Sequence, residues 1–266
     1  MFRREIKMKK YIRLFRNGIL NSSAFKMDFY FGFITIPIQV IISWYFWKYA
    51  NLENVGRGFT LNSIVLYFLI VNILSIIYSP AMYVCYESME LINSGNIITW
   101  MTRPIDIRLL KLFEKLGNFF VISIVPIALY IVLAIFTKNI TLSVALMGIV
   151  STFFGFTILF FVQLIIGFLS FWFNQVLTFR DMIFDIMWML GGIVLPIDFF
   201  PELLRNISLW SPLSYSYYIP AKIMAGIMPA EDILKYLILQ IVWILGLYML
   251  SGLIYKKGKN KTVQGG

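Results

Sequence analysis

Few residues in this sequence could do covalent chemistry, and they do not stand in a pattern that would. Histidine is absent and Cys85 is the only cysteine. That removes His/Cys metal sites, disulfides, Cys-His dyads and Ser-His-Asp triads together. Thirteen carboxylates remain, but most lie at the ends of apolar segments or in the loops between them. A Gly-x-x-x-x-Gly-Lys-Ser/Thr phosphate loop does not occur, so the chain does not bind and hydrolyse ATP by that route. No catalytic, cofactor-binding or metal-ligating residue is expected.

Two segments could bind something instead. The first runs from Glu87 to Asp106. A short helix fits Ser88 to Asn93, Gly95 suits its C-terminal cap, and Pro104 forces Arg103 into an extended conformation. Ile97, Ile98, Trp100 and Met101 are then apolar groups in a stretch that should face water. Such groups inside a polar rim form a docking surface. Equally, they can pack on helix ends or at the lipid interface, where tryptophan is common.

The second lies between Pro196 and Pro220 and contains four prolines. It is too apolar for a water-exposed loop and too broken by proline for a membrane span. Two short helices fit, one from about Pro201 to Trp210 and one from about Tyr215 to Ala225, with Pro201 favourable at a helix start. A re-entrant hairpin of this kind is allowed only where protein or a water-lined cavity satisfies its backbone. An interfacial aromatic belt is the other reading. Phe199, Phe200, Trp210, Tyr215, Tyr217 and Tyr218 would suit contact with an amphipathic substrate leaving outward, with the tyrosine hydroxyls hydrated.

The elements that must hold these segments are membrane helices. Sixty per cent of the 266 residues are hydrophobic and mean hydropathy is +0.81, against about 45–50% apolar in soluble domains. Six apolar segments stand at roughly 29–47, 63–86, 116–136, 142–173, 182–197 and 233–255. At about 1.5 Å per residue, the first, second, third and sixth cross a core of about 30 Å comfortably. The fourth must tilt or extend beyond the membrane. The fifth, at about 24 Å, is slightly short. The first lacks a small-residue cleavage site after it, since Trp44-Tyr45-Phe46-Trp47-Lys48 follows, and reads as a retained span.

Net charge is +10, and its distribution follows topology. With the N-terminus in the cytoplasm, seventeen of the twenty-three lysines and arginines fall on the inner side, as the positive-inside rule requires. Both termini, the loop 87–115 and Arg180 are then cytoplasmic. A nucleic-acid partner is unnecessary. In the N-terminal tail Met8, Ile12, Phe15 and Ile19 are spaced 4, 3, 4, with Lys9, Arg13 and Arg16 on a neighbouring face. That is a basic amphipathic helix on the inner membrane surface. It serves as an anchor to anionic lipid, as an elbow touching a cytoplasmic partner, or as both. The expected organisation is an elbow helix over 1–28, a transmembrane domain over 29–255 with the cytoplasmic loop at 87–115 and the hairpin at 198–222, and a basic tail over 256–266. The fourth segment holds small residues, Gly148, Ser151, Thr152, Gly155 and Gly167, which permit close helix approach. Ionisable groups are scarce within the spans. Asp185 and Lys235 lie near span ends, which argues against a proton-driven antiporter.

Across nearly its whole length the chain resembles the permease subunit of type-2 ABC exporters, in particular the compact six-span branch of daunorubicin-resistance-like and viologen-exporter-like permeases. The resemblance rests on Gly58-Phe59-Thr60, on Asn93-Ser94-Gly95-Asn96-Ile97 with Arg103-Pro104-Ile105-Asp106, on Gly191-Gly192 followed by Pro196 and Phe200-Pro201, and on Pro220 to Gly226. It implies an all-α integral membrane fold of six transmembrane helices. The loop residues Leu91, Ile97, Ile98, Trp100, Met101 and Arg103 would form the coupling helix, seated in a separate ATPase subunit. The aromatic segment would be an extracellular re-entrant hairpin at the exit. ATP and magnesium would belong to two copies of that ATPase. A second permease, identical or homologous, would complete the path, and the assembly would sit in the plasma membrane as an exporter of the multidrug-efflux kind. A homo-oligomeric channel or secondary carrier is the alternative. A membrane-embedded transferase would need clustered His, Asp or Glu at one face.

Overall fold

In the computed structural model the chain is described over residues 2–21, 26–50, 59–102, 106–137, 140–173 and 175–264. Those residues are helical with short turns and contain no β-strand. The helices are α1 (Phe2–Asn21), α2 (Lys26–Tyr49), α3 (Leu61–Met82), α4 (Val84–Asn93), α5 (Ile97–Met101), α6 (Ile107–Phe136), α7 (Leu142–Phe168), α8 (Val176–Leu190), α9 (Glu202–Leu209), α10 (Pro212–Ser216), α11 (Tyr218–Met224) and α12 (Ala230–Gln264).

Local chemistry sets several helix starts. α3 opens on a capping box in which Ser63 N–H donates to Thr60 Oγ1 at 3.2 Å and Thr60 N–H donates to Ser63 Oγ at 2.8 Å. Asp106 caps α6 by accepting from the Arg108 N–H at 2.9 Å, and Thr141 caps α7. Pro229 precedes α12, and Glu231 and Asp232 occupy its first turn, where the helix dipole favours negative charge. Among the described residues, four stretches are long and apolar enough to cross a membrane: Leu61–Asn93, Ile107–Phe136, Leu142–Phe171 and Ala230–Lys261. α2 has comparable length, at 24 residues. The chain is an all-α integral membrane protein.

Three boundaries differ from the sequence expectation. The fifth apolar segment was placed at 182–197, but α8 runs Val176–Leu190, fifteen residues or about 22 Å. It stops because Gly192 adopts a positive φ of 81°, a region open to glycine at little cost. The Tyr67 hydroxyl then holds that turn by donating to the Gly192 carbonyl at 2.6 Å. Ile193, Leu195 and Ile197 are apolar because they pack on the core, not because they extend the helix. Residues 107–115 were placed in a loop, but they are the first turns of α6. The tail beyond 255 continues α12 as far as Gln264.

α7 is the hub. It touches α3, α4, α6, α8, α10, α11 and α12, and Phe156, Phe160, Gln163 and Leu164 along it are fully or almost fully buried. Its small residues allow that crowding. A Cβ on Gly155 would lie 2.6 Å from the Ser216 carbonyl oxygen and 2.5 Å from the Tyr78 hydroxyl, and one on Gly167 would lie 2.9 Å from the Cys85 carbonyl oxygen. α1 docks along α6 where Gly18 meets Gly117, with Tyr11 against Phe113 and Phe15 against Phe120. Of the expected apolar face Phe15 turns this way, and Ile12 stays exposed.

Candidate functional site

A groove runs along α3 between α2 and α8. Its upper chamber, about 710 Å³, is walled by Phe46, Trp47, Phe68, Ile76, Val194 and Leu195. A second chamber of about 700 Å³ continues toward the α4 end and is lined by Met82, Tyr83, Tyr86, Phe184 and Tyr217. Ser75, Ser79 and Trp188 line both. Each volume is in the range of small-molecule sites, about 300–1,000 Å³. The walls are apolar, with hydroxyls and amides set into them: Gln39, Ser43, Asn72, Ser75 and Ser79. Asn72 and Ser75 each satisfy a donor on their own helix, to Phe68 and Val71 carbonyls at 2.7 and 3.0 Å. That leaves the Asn72 carbonyl oxygen as an acceptor.

One end of the bundle carries a charged corner. Lys115 is buried, 2% exposed, and pairs with Glu87, whose other oxygen lies 3.8 Å from Lys111. Arg108 pairs with Asp106 at 2.6 Å, donates to the Tyr248 carbonyl at 2.6 Å and lies 4.3 Å over the Tyr248 ring. α5 is clamped against this corner, with Lys259 donating to the Met101 carbonyl at 3.1 Å. Gly95, with φ 73°, makes the tight turn between α4 and α5. Among the residues expected to dock a partner, Ile97 is buried, while Leu91, Trp100 and Met101 are half-buried against the core. Ile98 alone among them is widely exposed, at 53%. Arg103 lies outside the described residues.

The opposite end carries α9 to α11. Asp198 is buried there, accepting from the Tyr218 hydroxyl at 2.8 Å and from Lys222 Nζ at 2.7 Å. Three helices reach the backbone of this region. Tyr67 of α3 donates to Gly192, Tyr130 of α6 to Met224 at 3.1 Å, and Gln240 of α12 to Tyr215 at 2.9 Å. Gln240 also exchanges hydrogen bonds with Ser151, accepting from its hydroxyl at 3.0 Å. Carbonyls freed by the prolines and turns thus find protein donors.

This corrects one expectation. Tyr215, Tyr217 and Tyr218 are 4%, 2% and 3% exposed, so their hydroxyls are not held in water at an exit. Tyr217 faces the groove instead. Phe200 is buried, Phe199 packs on Trp47 and Phe59, and Trp210 is widely exposed. Sequence reasoning missed the Asp198–Tyr218–Lys222 cluster and the Gln240–Ser151 pair. Tyr218 and Lys222 stand four apart on a helix, and Gln240 is a lone amide in an apolar run; both were available signals.

Residues 36–265 match the model of a family described as ABC-2 family transporter protein. No curated protein matches the sequence.

Proposed function

This chain belongs to the ABC-2 transporter family as the membrane component of an ABC transporter, and from that premise we propose that it exports an amphipathic or hydrophobic compound by alternating access. ATP hydrolysis takes place in two copies of a separate ATPase. A second permease, identical or related, closes the open side of the groove. The six apolar segments each cross the plasma membrane, α8 doing so with the help of the turn and hairpin that follow it. Both termini, α4 and α5 face the cytoplasm, and α9 to α11 form a re-entrant element in the outer leaflet.

The observation that carries this reading is the groove. It is apolar enough for a hydrophobic body, carries hydroxyls and amides along its length, and runs from the turn at Gly192 to the α4 end. The charged corner supplies a means of coupling. α5 is tied to α12 through Lys259 and, nearby, α6 to α12 through Arg108, so force on α5 reaches α12 directly and α6 through it.

The test is purification in mild detergent followed by reconstitution. An ATPase should co-purify, and an amphipathic fluorophore should accumulate in inverted vesicles only with ATP. Flux that needs no ATP, from a preparation without an ATPase, would identify a channel or secondary carrier instead.

A further inference from the structure

Of the charged residues, the described lining of the groove contains Arg180 and no aspartate or glutamate. Arg180 stands in the second turn of α8 at the mouth of the chamber bounded by Tyr83 and Tyr86. Its Nη1 atom lies 3.5 Å from Asp181, a residue whose own side chain is 67% exposed. Its Nε atom is buried and has no hydrogen-bond partner among the described residues. The Ser43 hydroxyl, farther up the same groove, is buried and unpartnered in the same sense. Asp181 and Asp185 stand on other faces of α8 and line neither chamber.

A buried N–H without an acceptor is costly, and a guanidinium edge is shaped for two oxygens of one anion. With Nη1 turned to Asp181, the Nε edge is the one left to pair with a ligand. Beyond it the walls are aromatic and aliphatic, with neutral hydroxyls and amides. A cationic head entering here would meet the Arg180 charge, which the exposed Asp181 offsets only in part, whereas a carboxylate or phosphate would pair with it.

We propose that the groove takes an anionic amphiphile, its carboxylate or phosphate head held by Arg180 and its apolar body lying along Trp188, Ile76 and Phe68. This rests on the export reading and narrows it to a substrate class. The same chemistry would serve a single-chain amphiphile or an anionic membrane lipid.

The full-length chain, purified in uncharged detergent, would be photolabelled with two diazirine alkyl probes differing only in head group, one a phosphate and one a trimethylammonium. Labelled peptides are mapped by mass spectrometry. The phosphate probe should label α3 and α8 in preference to the cationic one. Arg180→Gln should weaken that labelling about tenfold, the loss expected for one charge-assisted contact. Asp181→Asn, which removes the competing carboxylate, should strengthen it, and this keeps the test decisive if the arginine variant folds poorly. Competition by dodecyl phosphate alone would assign the site to a single-chain amphiphile, and competition by phosphatidylglycerol would assign it to a lipid. Equal labelling by both probes, or labelling indifferent to both variants, would overturn the proposal. If ATP-driven transport of a lipophilic cation persisted beside that result, the export function would stand and the anionic substrate class would fall. Labelling confined to the outer lipid-facing surfaces would remove the groove as a path altogether.

Discussion

The Tyr218 hydroxyl donates to Asp198 Oδ2 at 2.8 Å, and Lys222 Nζ lies within 2.9 Å of the same hydroxyl while it pairs with Asp198. The three groups close the turn after α8 onto α11. Asp198→Ala would leave Lys222 facing a buried, unpaired position. Removing one member of such a pair costs about 3–5 kcal/mol, so the melting temperature in detergent should fall clearly. Replacing both, as Asp198→Asn with Lys222→Met, should cost less than Asp198→Ala. Equal loss from the two proteins would mean that the charge pair does not hold this turn.

Gln240 joins α12 to α7 and to the hairpin through Ser151 and the Tyr215 carbonyl. Gln240→Leu fills the same volume but strands those partners, at about 1–3 kcal/mol. The variant should show a lower thermal transition and faster proteolysis between residues 196 and 225. An unchanged transition would show that the amide is not a structural tie.

Gly155 and Gly246 make a controlled pair. A methyl at 155 meets the Ser216 carbonyl oxygen at 2.6 Å, whereas one at 246 meets nothing within 4 Å. Gly155→Ala should destabilise the protein by about 1–3 kcal/mol through overpacking. Gly246→Ala should be neutral or stabilising by up to about 1 kcal/mol, through helix propensity. Thermal unfolding followed by size-exclusion chromatography compares them directly, and similar behaviour would contradict the crossing at Gly155.

At the α5 corner, Ile98 is the informative residue. Ile97 is buried within its own chain, so a charge there would damage the permease itself. Ile98→Asp should leave the melting temperature within about 0.5 kcal/mol of the original in stability terms, while the co-purifying ATPase is lost or hydrolyses ATP without transport. Full retention and coupled transport would move the docking surface elsewhere.

Orientation can be read from Ile98 and Trp210, exposed residues at opposite ends of the bundle. In a Cys85→Ala background, Trp210→Cys should react with an impermeant maleimide on intact cells, and Ile98→Cys only after permeabilisation. The reverse pattern would invert the proposed topology.

The sequence by itself determined that this is a membrane protein. The apolar runs are too long and too many for a soluble core, and the absence of histidine and the single cysteine close off most covalent chemistry. It also marked several helix starts, because a capping group such as Thr60 or Asp106 acts within three residues of itself. Where α8 ends, which tyrosines are buried and which carboxylate meets Lys222 were decided only by the tertiary structure. In a soluble helix the contrast between polar and apolar faces shows which side packs. In an apolar span both sides are apolar, so lipid-facing and protein-facing residues look alike, and the choice passes to shape. Gly155 accepts Tyr78 and Ser216 because it has no side chain. Asp198 is tolerated inside because Tyr218 and Lys222, some twenty residues on, fold back to meet it. Neither relationship is a pattern along the chain; each exists only once the helices are assembled.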